Sequence, residues 1–96
     1  MKIWVDDMRP APKGYVVAKS VADTIRMIEE AEHRGEPVEV IDLDHDLGEY
    51  AGDGGDAICI LDYLVERKNF YPIAIHTANP VGRTNMERII HRFWPD

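Results

Sequence analysis

Val38-Glu39-Val40-Ile41-Asp42-Leu43-Asp44-His45-Asp46 is the stretch that decides the fold. Residues 38–43 are a short run rich in β-formers, set off by Gly35 and Pro37, and read as a buried strand. The run stops at Asp44, where acids and a histidine take over. Toward the N-terminus, Lys2–Val5 is a similar run that ends abruptly at Asp6-Asp7. Toward the C-terminus, residues 72–76 form another, ending at His76-Thr77. Residues 15–19 make a fourth.

The segments between these strands carry helical signals. Ser20 reads as an N-cap with Asp23 three residues on, close to a capping box. Val21, Ile25, Ile28 and Glu32 share one face, a narrow stripe, and Gly35 with Pro37 ends the helix near Arg34. Asp56, or Asp53, can cap a second helix that runs to about Lys68. Ala57, Ile60, Leu61, Leu64 and Val65 give it a buried face. Asn79-Pro80 reads as an N-cap and N1 pair for a third helix, with Met86, Ile89, Ile90 and Phe93 as its stripe. The order is β-β-α-β-α-β-α. Strands joined through helices imply right-handed parallel crossovers. The link from the first strand to the second holds Arg9-Pro10-Ala11-Pro12-Lys13-Gly14, which excludes a helix and leaves the direction of that pair open. The expectation is a small layered α/β domain spanning 1–96, a four-stranded, mainly parallel sheet with about three helices.

The composition suits a single domain of modest stability: 96 residues, 45% hydrophobic and 30% charged. A net charge of −7 and a pI near 4.9 exclude the basic footprint of a general nucleic-acid binder and disfavour anionic membranes. Cys59 is the sole cysteine and lies in an apolar run, so it reads as a small core residue. No signal-peptide pattern or bilayer-length apolar run is present, and a cytoplasmic home is the expectation.

Ligands of open parallel sheets bind outside the carboxyl ends of the strands. Here those ends deliver Asp6 and Asp7, then Asp42, Asp44 and Asp46, then His76 and Thr77. Carboxylates brought within a few ångströms must take up protons or a cation. Mg²⁺ accepts carboxylate oxygens and keeps waters for a phosphate ligand. Any one aspartate here reads equally as a helix cap or a solvated turn residue. Their recurrence at equivalent strand ends favours a shared pocket. Asp42 has the side-chain parity of Asp44 but lies deeper. His45 and His76 are ligand candidates or structural, hydrogen-bonded histidines, and no zinc spacing is present. Thr77 either binds a phosphate oxygen or caps its turn, and Arg83 either contacts an anion or is solvated. Gly52-Asp53-Gly54-Gly55 reads as a flexible loop, without the spacing or lysine of a phosphate loop. Trp4 and Trp94 read as packing residues.

These residues resemble the receiver domain of bacterial response regulators. Ile3-Trp4-Val5-Asp6-Asp7 looks like the receiver's first strand and acidic pair, and residues 37–44 like the strand that ends in its phospho-accepting aspartate. Ile73-Ala74-Ile75-His76-Thr77-Ala78 looks like the strand with its Thr-Ala switch pair. Asp6-Asp7-Met8-Arg9-Pro10-Ala11-Pro12, Leu43-Asp44-His45-Asp46-Leu47-Gly48 and His76-Thr77-Ala78-Asn79-Pro80-Val81-Gly82 are more closely similar to small receiver-like proteins of phages and prokaryotic conflict systems. The resemblance implies a receiver-like (flavodoxin-like) fold. It implies Asp44 and Thr77 as catalytic residues, Mg²⁺ on Asp6, Asp7, Asp44 and Asp46, and ligand contacts from His45, His76, Asn79 and Arg83. The receiver's first helix, fifth strand with its lysine, and last helix have no counterpart here, so Arg83 or Lys13 is the candidate replacement for that lysine.

Three functions follow as expectations. One is a receiver-like signalling or binding module, with Asp44 as phosphoryl acceptor and a protein or a phosphate-containing small molecule as partner. Another is a metal-dependent phosphohydrolase, because Asp42-Leu43-Asp44 resembles the Asp-x-Asp motif of haloacid dehalogenase-type phosphatases in permuted order. The third is a non-enzymatic partner-binding protein of a phage or conflict system.

Overall fold

A computed structural model of the chain describes residues 1–48, 52 and 54–95. The elements run β1 (Lys2–Val5), β2 (Tyr15–Ala18), α1 (Val21–Arg34), β3 (Val40–Leu43), α2 (Ile58–Arg67), β4 (Ile73–Ile75) and α3 (Pro80–Phe93). The order matches the sequence reading, with strand ends trimmed by one or two residues. Asp53, one of the two candidate caps for the second helix, lies outside the described residues. The N-cap position falls on Ala57, which has no side-chain cap; Asp56, one residue ahead of it, accepts the Ile58 N–H through Oδ1 at 3.1 Å.

The sheet order is β2-β1-β3-β4 and every pairing is parallel, including β1 with β2. Residues 6–14 are a short connection for a parallel pair, which ordinarily needs a dozen residues or more. Two prolines and a glycine let a loop do here what a helix does elsewhere.

Handedness then sets the layers. From β2 through β3 to β4 the chain steps in one direction across the sheet, so right-handed crossovers place α1 and α2 on one face, and α3 joins them there by packing on α2, with Met86 in the shared core. The β1–β2 step runs the other way, and its loop falls on the opposite face. Burial agrees. Ile3, Val5, Ala18, Ile41 and Leu43 form one cluster with Val21, Ile28, Ala31, Ile60, Leu61, Leu64 and Met86. Trp4 is buried but stands outside that cluster. In register with Trp4 lie Val17 and Asp42, and Asp42 pairs with Ala74, so these four share the helix-free face.

Helix ends follow local chemistry. Ser20 Oγ accepts the Asp23 N–H at 3.0 Å, and Gly35, in the left-handed conformation, closes α1 with its N–H on Ala31 and Glu32 carbonyls. Cys59 corrects the sequence reading. It is exposed, because the face of α2 that buries Ile60, Leu61 and Leu64 turns it outward. No helix of the described residues is long and apolar enough to cross a membrane.

Candidate functional site

The helix-free face and the strand tips meet at His76. The residue follows β4, and its N–H donates to the Leu43 carbonyl of β3 at 2.9 Å. Its ring is held on three sides. Nδ1 donates to Asp42 Oδ1 at 2.7 Å. Nε2 lies 2.9 Å from Asp6 Oδ2. The Trp4 indole stacks on the ring at 3.7 Å between centroids and 5° between planes. Register explains the trio: Trp4 and Asp42 are cross-strand neighbours on β1 and β3, and Asp6 and His76 each lie two residues beyond that row.

Asp6 is 1% exposed. Its Oδ1 accepts the N–H groups of Met8 and Arg9 at 2.9 and 3.0 Å. Burial pushes its carboxyl up, but the Arg9 and Met8 N–H groups together with His76 outweigh that and hold it below the usual carboxylate range. Asp44 completes the group. One ligand atom each of Asp6, Asp44 and His76 lies within 4.8 Å of the others, a spacing that suits a metal ion. The Asp44 carboxylate, half-buried, accepts no hydrogen bond from a described residue, so it is the more open of the group's two carboxylates.

The proton inventory of His76 is informative. A hydrogen bond to each carboxylate needs a proton on both ring nitrogens. A cation at Nε2 serves equally well, with the Nδ1–H donated to Asp42 in the carboxylate–histidine–metal arrangement. Asp42 orients the ring either way.

A second group flanks this one. His45 Nδ1 lies 2.8 Å from Asp46 Oδ1, and Asn79 Nδ2 donates to Asp46 Oδ2 at 3.1 Å. Those contacts, His45 first and Asn79 second, hold the Asp46 carboxyl below its usual range. The His45 ring lies over Gly82, where a Cβ would stand 2.4 Å from it. Asp7 is turned toward the loop after β3, and a Cβ on Gly48 would meet its Oδ2 at 2.3 Å. Thr77 Oγ1 accepts the Asn79 N–H at 3.1 Å. Arg83 donates to the Ile75 carbonyl at 2.9 Å and lies 4.0 Å from Glu87, and Lys13 is exposed on the loop. The structure thus gathers Asp6, Asp44 and His76, sets His45, Asp46 and Asn79 beside them, and puts Thr77 in its turn.

Sequence reasoning underrated three residues. Trp4 is the stacking floor of His76 as well as a packing residue. Asp42 is that ring's orienting partner, a role its parity with Asp44 already hinted at. Arg9 donates through Nη1 to the His76 carbonyl at 2.7 Å; it lies within the Asp6–Pro12 resemblance, which assigned it no role.

A parallel sheet with an acidic pair after its first strand, an aspartate after the third and a threonine after the fourth defines a receiver-like domain. The match to known families agrees: residues 1–92 fit the family described as the cyclic-phosphate processing receiver domain, and the chain belongs to it. Neither a curated protein nor a solved structure matches the chain.

Proposed function

We propose that this protein opens a cyclic phosphate ester by hydrolysis at the Asp6–Asp44–His76 cluster. The observation that carries the reading is His76 itself, locked between Asp6 and Asp42 with Asp44 in reach. A module that only receives a phosphoryl group on a carboxylate has no need of an oriented imidazole. Ring opening does. Water adds to phosphorus, one P–O ester bond breaks, the water loses a proton and the departing alkoxide gains one. The product is a phosphomonoester with a free hydroxyl. Two acid/base groups serve these transfers. His76 would be one, through the Nε2 that Asp6 would give up on holding a cation, and His45 is assigned as the second. The family description, cyclic-phosphate processing, supports this substrate class.

Asp6 and Asp44 would hold Mg²⁺, with His76 at its border, and the bound ion supplies charge neutralisation at the phosphoryl oxygens. Its fit rests on the oxygen-rich donor set and the free Asp44 carboxylate. Asp42 orients, and Trp4 fixes the plane of the ring.

The test is incubation with five- and six-membered cyclic phosphate esters and Mg²⁺, followed by phosphorus NMR. Conversion to a monoester is expected, falling by about 10²–10⁴-fold in His76→Ala. Phosphoryl transfer to Asp44 is the second reading, favoured by the open position of that carboxylate at the tip of β3. A small phosphodonor that adds mass at Asp44, with every cyclic ester untouched, would replace the first reading with the second. The dehalogenase-like reading has less support, because its nucleophile, Asp42, is engaged by His76.

A further inference from the structure

We propose that Arg9 is the residue that binds the phosphate of the ligand at this site. The inference rests on the phosphate-processing reading above and adds the recognition element that reading lacks. Asp6, Asp42 and Asp44 make the pocket strongly negative, and a phosphate entering it needs a fixed positive group beside the metal.

Arg9 is built into the site at three points. Its N–H donates to Asp6 Oδ1 at 3.0 Å. Its carbonyl accepts from Trp4 Nε1 at 3.2 Å. Its guanidinium donates to the His76 carbonyl at 2.7 Å. Each tie goes to a residue of the cluster or to its stacking floor, so the side chain is anchored over the strand tips. The guanidinium also keeps its charge unanswered. Arg26, Arg34, Arg67 and Arg83 each have a carboxylate within 4.0 Å. Arg9, like Arg88 and Arg92 on α3, has none among the described residues; Arg9 alone of these three is tied to the cluster, through a neutral carbonyl. One of its five N–H donors is used there, which leaves a planar fork suited to two phosphate oxygens.

Arg83 differs in place as well as in pairing. The His76 N–H faces β3, whereas Ile75, one residue earlier, turns its carbonyl to the open edge of the sheet, where Arg83 caps it. Arg9 therefore lies on the pocket side of β4 and Arg83 on the outer side.

The experiment measures binding of inorganic phosphate in the presence of Mg²⁺, binding of Mg²⁺ alone, and steady-state turnover of a cyclic phosphate ester. Wild type is compared with Arg9→Met, Arg9→Gln and Arg9→Lys. The exposed side chain and retained main-chain bonds predict folded variants, checked by circular dichroism. Arg9→Met is expected to weaken phosphate binding at least tenfold with Mg²⁺ affinity within twofold of wild type, and to raise KM more than it lowers kcat. Arg9→Lys should recover part of the loss. Arg9→Gln keeps a donor for the His76 carbonyl without the charge. Phosphate binding by Arg9→Gln equal to wild type would reduce Arg9 to a strut for β4 and overturn the proposal, as would wild type that binds no phosphate. Wild type that binds phosphate through Arg9 yet converts no cyclic ester would instead overturn the hydrolysis reading alone.

Discussion

Asp44 stands among like charges with no side-chain donor among the described residues, whereas Asp6 has two N–H groups and an imidazole. That contrast separates their roles. Asp6 is structurally satisfied and shapes the pocket; Asp44 is left open to a ligand, and groups so kept are often held at some cost in stability. Asp44→Asn should therefore stabilise the protein in a chelator by about 0.5–1 kcal/mol, a rise of several degrees in Tm for a domain of this size. The same variant should lose the added thermal stability that Mg²⁺ confers on wild type. A melting series with and without Mg²⁺ checks both halves, and a variant that melts at or below wild type in chelator contradicts the crowding argument. Arg9 teaches the complementary lesson. An arginine in a proline loop can belong to a motif without its partner being named there, and the partner here is a carbonyl supplied by His76, far along the chain.

Within α3, the first turn serves the fold and the site together. Asn79 Oδ1 caps the helix by accepting the Gly82 N–H at 3.0 Å, while its Nδ2 holds Asp46. Loss of such a cap costs about 1 kcal/mol, so Asn79→Ala should lower stability by that amount in urea unfolding and free Asp46 as well. Gly82 sets two effects against each other. Alanine in a helix interior is favoured over glycine by up to about 1 kcal/mol, but here its Cβ would stand 2.4 Å from the His45 ring, a contact the ring must leave. Gly82→Ala should thus lose up to about 2 kcal/mol of stability, an overpacking cost of about 1–3 kcal/mol less the propensity gain, and lose turnover at least tenfold as His45 is displaced. Unchanged kcat would detach His45 from the chemistry.

Across the whole molecule, one carboxylate ties α1 to the α2–β4 connection. Glu32 accepts from Arg67 at 3.0 Å, from Asn69 at 2.8 Å and from the Tyr71 hydroxyl. Burial first, and Glu32 second, push the Tyr71 phenol up to about 12. A phenol whose folded pKa is raised contributes stability that is fully present below its unfolded value near 10 and is lost as pH rises toward 12. Unfolding free energy should fall across that window. Glu32→Gln should bring the Tyr71 titration, followed by phenolate absorbance, only part of the way back, since burial persists. Glu32 had read as a member of a narrow apolar stripe. Its partners lie more than thirty residues away, so no local pattern could reveal them. The same limit explains the other differences. Period and caps determined the seven elements and their order, because Ser20, Gly35 and Asn79-Pro80 act on neighbours a few residues away. The acids and His76 were legible as a site because apolar runs that end in polar groups place those groups at strand tips. Folding alone decided that β1 and β2 run parallel, that all three helices take one face, and that Trp4, Asp42 and His76 stack and bond into one unit. Those facts come from crossover handedness, the packing of α3 on α2 and cross-strand register, which join residues distant along the chain and leave no mark in the sequence around any of them.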